Sequence, residues 1–76
     1  MVRGIVDFSA HARSRMVQRD ITLREVLLIL DGGYRAPEAA PAGAPMRWRY
    51  SGVINGRRIT VIVAEKGAGA VVVTAY

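Results

Sequence analysis

The stretch that decides the fold is residues 46–64, MRWRYSGVINGRRITVIVA. From Met46 to Tyr50, apolar residues alternate with arginines, which is the two-residue period of a strand with one apolar face. Asn55-Gly56 follows, and both central positions of a type I′ turn need the positive φ that these two residues adopt readily. The stretch therefore predicts a β-hairpin whose second strand is Arg57–Ala64.

Glycines beyond the hairpin introduce a third strand. Gly67-Ala68-Gly69 predicts a turn, and Val71–Tyr76 is rich in β-branched residues. The segment Ala36–Pro45 contains all three prolines and has no period, so we expect a loop there, preceded by a short strand near Tyr34. Residues 1–8 are predicted to form a short extended segment, the lead-in to the first helix.

Two helices are predicted between the lead-in and the hairpin. Ser9 is a suitable N-cap for the first, which we expect to end near Gln18. The second begins at Thr22-Leu23-Arg24-Glu25, which has the Ser/Thr-x-x-Glu form of a capping box. Apolar residues then recur at helical spacing as far as Leu30. Asp31-Gly32-Gly33 supplies a glycine for a left-handed turn at the helix end.

The order of these elements predicts an α+β fold in a single domain, residues 1–76. Two N-terminal helices are expected to pack on one face of a twisted antiparallel sheet of three to four strands. A chain of 76 residues has room for one small core. Its composition, 51% hydrophobic and 22% charged, is too apolar for a disordered segment.

The charge balance favours an anionic partner. The formal net charge is +5, and all but one of the 11 basic residues are arginine, whose planar fork suits phosphate. An arginine-rich genome would produce the same bias. There is no cysteine, and a single histidine with six scattered carboxylates has no metal-ligand spacing, so we expect neither metal nor cofactor. No leader or spanning segment is evident, which predicts a cytoplasmic protein without a membrane partner.

The first helix contains the main candidate site residues. His11 and Arg15 are four residues apart and share a helix face, which Arg19 continues. Histidine can donate or accept a proton near neutrality, and arginine can neutralise phosphate. Ala12 and Met16 form a neighbouring apolar stripe that should dock on the sheet. The alternative is that the polar stripe is an ordinary solvated helix face.

Four arginines of the hairpin form a second group of candidates, for nucleic-acid binding: Arg47, Arg49, Arg57 and Arg58. A basic surface next to aromatic side chains can follow a single-stranded backbone and stack a base. However, Trp48 and Tyr50 fall on the strand face opposite Arg47 and Arg49, so we assign both aromatics mainly to the core.

The last strand supplies two hydroxyl groups. Strict alternation places Val72, Thr74 and Tyr76 on one face of the strand. The hydroxyls of Thr74 and Tyr76 are suited to hydrogen-bond a phosphate. Both residue types are also common in strands for structural reasons.

Together these segments resemble a known family. The opening Phe8–Met16, FSAHARSRM, continues with Gln18–Thr22, QRDIT, and the chain ends with Val71–Tyr76, VVVTAY. This is similar to the domain of unknown function numbered 4258, which has a His-Ala-x-x-Arg-Met-x-x-Arg-Gly-Ile-Ser/Thr opening, a middle hairpin and a Val-x-Val-Thr-x-Tyr close. The resemblance covers nearly the whole chain. Asp20 stands where that family commonly has glycine.

Relatives of this kind resemble the barnase/RelE-like superfamily, often metal-independent ribonuclease toxins with catalytic residues on the first helix and last strands. The resemblance implies catalytic roles for five residues: His11, Arg15, Arg19, Thr74 and Tyr76. It also implies RNA as the substrate and an antitoxin or immunity protein as a partner. The alternative function is a non-catalytic nucleic-acid-binding or protein-interaction module on the same scaffold.

Overall fold

The strands of this protein form one five-stranded sheet in the order β1-β5-β4-β3-β2, in a computed structural model that describes residues 6–76. Neighbouring strands are antiparallel except for β1 and β5, which are parallel. The elements in chain order are β1 (Val6–Phe8), α1 (Ala10–Arg19), α2 (Leu23–Gly32), β2 (Tyr34–Glu38), β3 (Arg47–Ile54), β4 (Arg57–Lys66) and β5 (Gly69–Ala75).

The α+β class with two N-terminal helices is confirmed, but the expected three to four antiparallel strands are wrong in number and direction. β1 has three residues, too few for a period to show, and it pairs in parallel with β5. β2 contains Pro37, so the predicted loop at Ala36–Pro45 begins only at Ala39. β2 lies at the sheet edge, where a residue without an N–H is tolerated. Residues 1–5 of the predicted lead-in lie outside the described part of the chain.

The local signals at the hairpin and the helix starts are confirmed. Asn55 and Gly56 have φ values of 52° and 78°, as the tight turn between β3 and β4 requires. In the capping box, the Thr22 backbone N–H donates to Glu25 Oε1 at 2.8 Å, and the Glu25 N–H donates to Thr22 Oγ1 at 3.1 Å. Ser9 Oγ accepts from the Ala12 N–H at 3.0 Å. Both helices therefore begin where the sequence predicts.

The core lies between the helices and one face of the sheet. α1 packs on β5, and α2 packs on β3 and β4. The most deeply buried side chains include Ala12, Val26, Ile59, Val61 and Val72. Burial of each of the larger ones stabilises the fold by ~1.5–3 kcal/mol. None of the helices in residues 6–76 is long and apolar enough to span a membrane.

A β-bulge in β5 changes which side chains enter the core. Ile62 pairs with Thr74, but Val63 pairs with Val72, so Val73 is an extra residue. Val72 and Ala75 consequently both belong to the core. The prediction that Val72 shares a face with Thr74 is therefore wrong. Thr74 lies beside Ile62 on the face turned away from the helices, which we call the outer sheet face.

The end of α2 also differs from its prediction. Gly33 does not turn left-handed: it has φ −76° and ψ 165°, an ordinary extended conformation. Glycine is required there for space, because a Cβ would lie 2.5 Å from the Ile29 carbonyl oxygen and 2.8 Å from that of Ser51. The missing side chain lets the helix end approach β3 closely.

We predict that Gly33→Ala lowers the free energy of unfolding by ~1–3 kcal/mol, since backbone atoms must shift to admit the methyl group. Gly32→Ala is the matched control, because a Cβ at Gly32 meets nothing within 4 Å. At that helical position alanine should raise stability by up to ~1 kcal/mol. Urea unfolding of both variants measures the difference, and equal stabilities would contradict the steric explanation.

Candidate functional site at the edge of β5

The α1 helix runs along β5 from its middle toward its C-terminal end. At the start of the helix, the Ser9 N–H donates to the Val72 carbonyl at 3.0 Å and Ser9 Oγ donates to the Val73 carbonyl at 3.1 Å. At its end, the helix meets Arg57, the first residue of β4. That end of β4 lies beside the C-terminus of β5, because Thr60 and Tyr76 pair through two backbone hydrogen bonds.

The flank of α1 that carries His11 and Arg15 faces away from α2. On the other flank, Arg13, Met16 and Val17 line a groove with Leu23 of α2. At about 100° per residue, that flank and the His11/Arg15 flank lie on opposite sides of the line through buried Ala12. Since α2 covers β3 and β4, the His11/Arg15 stripe lies toward the outer edge of β5.

That outer edge has no strand neighbour along the second half of β5. β1 pairs with β5 only as far as Phe8 and Val72, and no other strand within residues 6–76 continues the pairing. Tyr76 exchanges both backbone hydrogen bonds with Thr60, at 2.8 and 2.7 Å. The N–H and C=O of the preceding Ala75 therefore point away from β4, toward the open side. We call this region the β5 edge.

The structure brings the helix stripe and the strand hydroxyls to the β5 edge from opposite faces of the sheet. His11 is exposed above the edge, and Arg15 is partly buried beside it. Thr74 is partly buried on the outer sheet face, and Tyr76 is 47% exposed at the strand end. Within residues 6–76, no side-chain hydrogen bond joins the helix pair to the hydroxyls. The Nε of Arg15 is shielded from solvent and finds no hydrogen-bond partner in that range.

Arg19 lies at the corner where α1 ends, and Arg57 holds that corner. The Arg57 guanidinium donates to the carbonyls of Arg19 and Asp20, both at 2.9 Å, and to Glu25 Oε1 at 3.1 Å. A cation satisfying the last carbonyls of a helix also complements its dipole. These contacts give Arg57 a structural role that needs no ligand. The Arg19 side chain, by contrast, remains exposed.

The other hairpin arginines lie on the outer sheet face. Arg47 pairs with Ala64 and Arg49 with Ile62, so both side chains are on the side away from the core. Arg49 donates to Glu38 at 2.9 Å. The Nε of Arg47 is shielded and has no partner among the described residues. Arg58 is exposed on the same face.

The two aromatics of β3 lie on the helix side of the sheet. Tyr50 is buried, which confirms its assignment to the core. Trp48 is only partly buried: the Arg35 guanidinium lies 4.4 Å from its ring centroid, and its Nε1 donates to Glu65 at 3.2 Å. Arg35 covers one face of the Trp48 ring, so a base stacking on that face would have to displace Arg35. The sequence did not indicate this cation–π pair, because the pairing of the short strand near Tyr34 with β3 was not predicted.

Asp20 closes α1 in a left-handed conformation, with φ 54° and ψ 48°, and its N–H donates to the carbonyls of Met16 and Val17. Glycine adopts this conformation freely, and aspartate tolerates it better than most residues. The left-handed conformation explains how aspartate can stand at position 20, where the family resemblance leads us to expect glycine. The corner that places Arg19 is preserved.

We predict that Asp20→Gly leaves the free energy of unfolding unchanged or higher, whereas Asp20→Val lowers it by ~1–2 kcal/mol. Valine is β-branched and is strained at positive φ. Because Asp20 is exposed, neither change removes buried surface. Denaturant unfolding measures both effects, and a valine variant as stable as the parent would refute the left-handed corner.

A second prediction concerns Glu25. The hydrogen bond from the Thr22 backbone N–H lowers the pKa of Glu25, and the nearby Arg57 charge acts in the same direction. A carboxylate whose pKa is lowered by folding stabilises the folded state at pH values above its unfolded-state pKa. That stabilisation is lost as the pH falls through the folded-state pKa. Glu25→Gln keeps the capping box but removes the charge.

The parent should therefore be more stable than Glu25→Gln at neutral pH, and the difference should shrink as the pH falls below the ordinary glutamate pKa of ~4.3. Urea unfolding at a series of pH values measures the difference. A difference that does not change with pH would argue against ionic stabilisation at this corner.

Comparison with known proteins identifies the family. No curated protein and no solved structure matches the chain significantly. A family model, described as a domain of unknown function (DUF4258), matches residues 8–76. The matched residues include α1 with His11 and Arg15, the hairpin of β3 and β4, and β5 with Thr74 followed by Tyr76. The chain belongs to the DUF4258 family.

Proposed function

We propose that this domain acts on RNA as a metal-independent endoribonuclease-like module of the barnase/RelE-like type. The proposal is carried by the arrangement around the β5 edge, where the His11/Arg15 stripe lies on the helix side of the sheet and the Thr74/Tyr76 strand end on the outer face. The chain has a net charge of +5, which favours a polyanionic ligand. Action on cellular RNA implies a cytoplasmic protein.

Cleavage of RNA needs two proton transfers and charge stabilisation. The 2′-hydroxyl loses a proton as its oxygen attacks the adjacent phosphorus. The bond from that phosphorus to the 5′-oxygen of the next nucleotide breaks, and the 5′-oxygen gains a proton. His11 is suited to one of these transfers, and the phenolic hydroxyl of Tyr76 is the group that we assign to the other. Arg15 and Arg19 would neutralise the phosphate, and Thr74 would orient it.

Arg15 is well placed for this role. Its Nε is shielded from solvent and lacks a partner within residues 6–76, so an acceptor from a ligand would satisfy a donor that the described fold leaves unpaired. Arginine also presents its donors in a planar arrangement that matches two phosphate oxygens.

The outer sheet face would extend RNA binding beyond the cleaved bond. Arg47, Arg49 and Arg58 lie there, on the same face as Thr74. The ion pair of Arg49 with Glu38 is partly solvent-exposed, and such pairs are weak enough to exchange for phosphate. Arg57 is left out of this surface because the helix corner uses it. An antitoxin or immunity protein would cover the same basic surface.

The rival function is a non-catalytic RNA-binding module. The observation that favours it is that the two halves of the candidate site approach the β5 edge from opposite sheet faces, without a hydrogen bond between them in residues 6–76. A binder needs only the basic surface. Its affinity should fall steeply with salt, and it should leave RNA intact.

The test is incubation of the purified protein with RNA in the presence of a chelator. The parent should release fragments that end in 2′,3′-cyclic phosphate, and a His11→Ala/Arg15→Ala variant should cleave at least ~100-fold more slowly. Arg13→Ala is the control, since Arg13 is an exposed arginine on the opposite flank of α1. Circular dichroism checks that each variant is folded.

Equal cleavage by the parent and the double variant would refute the assignment of the site. If the parent binds RNA without cleaving it, and an Arg47→Ala/Arg58→Ala variant binds more weakly, the domain is the binding module. If it neither cleaves nor binds RNA, both functions are excluded.

A further inference from the structure

The outer face of α2 carries an apolar patch that the described part of the chain does not cover. Leu23, Leu27 and Leu28 are 54%, 47% and 49% exposed, although Val26, Ile29 and Leu30 of the same helix are buried. Adjacent half-exposed leucines on one short helix are a feature of interaction surfaces. The proposed RNA site does not use this face, because His11 and Arg15 lie on the flank of α1 that faces away from α2.

Two opposite charges lie on the same face as these leucines. Arg24 and Asp31 line one shallow groove together with Leu23, Leu27 and Leu28. They are seven residues apart, so they lie within about 20° of one line along the helix and ~10 Å apart. Neither of them forms an ion pair within residues 6–76.

The arrangement of these charges is self-complementary. The midpoint between Arg24 and Asp31 falls between Leu27 and Leu28. If a second α2 is laid antiparallel across this point, Arg24 of one copy faces Asp31 of the other, and Leu27 faces Leu28. Each contact then occurs twice, as a two-fold interface requires.

We propose that this face is a self-association surface, on which a second copy of this chain packs its own α2 antiparallel about a two-fold axis. The patch carries one positive and one negative charge, so it offers no complement to a uniformly acidic or basic partner. A copy of the same face matches both charges and covers the leucines. A small domain gains in stability from such burial, since its own core is limited.

The dimer would leave the β5 edge open. α2 packs on β3 and β4, whereas the edge lies beyond β5 on the far side of α1. The dimer would thus carry two β5 edges, one from each copy, and neither would be blocked. The inference stands whether or not the edge cleaves RNA.

Sedimentation equilibrium of four proteins tests the interface: the parent, Arg24→Asp, Asp31→Arg and Leu28→Glu. The parent should dimerise, and each charge-reversal variant should dimerise at least ~10-fold more weakly, because like charges then face each other twice. An equimolar mixture of the two charge-reversal variants should recover the affinity of the parent, since each acidic position then faces a basic one. Leu28→Glu should abolish dimerisation.

A parent that stays monomeric at all accessible concentrations would overturn the proposal. So would a dimer that neither the charge reversals nor Leu28→Glu weakens, because the interface would then lie elsewhere. Failure of the mixture to recover affinity would exclude the antiparallel pairing. Arg24, Leu28 and Asp31 are exposed and contribute little to the core. Circular dichroism of each variant checks that a loss of dimerisation is not a loss of folding.

Discussion

The extra residue in β5 sets the geometry on which the candidate site depends. Because Val73 is not matched by a residue of β4, Val72 and Ala75 both face the core beneath α1, while Thr74 turns to the outer sheet face. The backbone around the bulge also anchors the helix, since Ser9 bonds to the carbonyls of Val72 and Val73. One irregularity therefore fixes the start of α1 and the side on which the strand hydroxyls lie.

The second fixed point is the corner between the helices. Asp20 turns the chain in a left-handed conformation, and Arg57 joins the end of α1 to the Glu25 carboxylate at the start of α2. With α1 held at both ends, its rotation about its own axis is determined by the burial of Ala12. That rotation directs His11 and Arg15 toward the edge of β5 and Arg13 toward α2.

The two proposed surfaces follow from this arrangement. The β5 edge combines protic and cationic side chains with backbone groups that β4 does not use, which suits a phosphate ester. The outer face of α2 is apolar with a balanced pair of charges, which suits a copy of itself. Because α1 lies between them, an RNA and a second copy of the chain would not compete for the same surface.

Local chemistry determined much of this protein by sequence alone. The capping box at Thr22, the cap at Ser9 and the Asn55-Gly56 turn depend on interactions within a few residues, and all three form as predicted. The opening and closing segments likewise identified the family. Tertiary structure decided the features that depend on distant pairing.

The parallel pairing of β1 needs residues more than sixty positions apart, and the run Val71-Val72-Val73 gives no sign of the bulge because all three side chains are alike. Glycine is required at position 33 because the backbone there lies close to Ser51. Arg57 has its role because its guanidinium donates to carbonyls at the end of a helix that is distant in sequence. The sequence therefore named the residues of the β5 edge, whereas only packing could decide which face of the sheet each of them occupies.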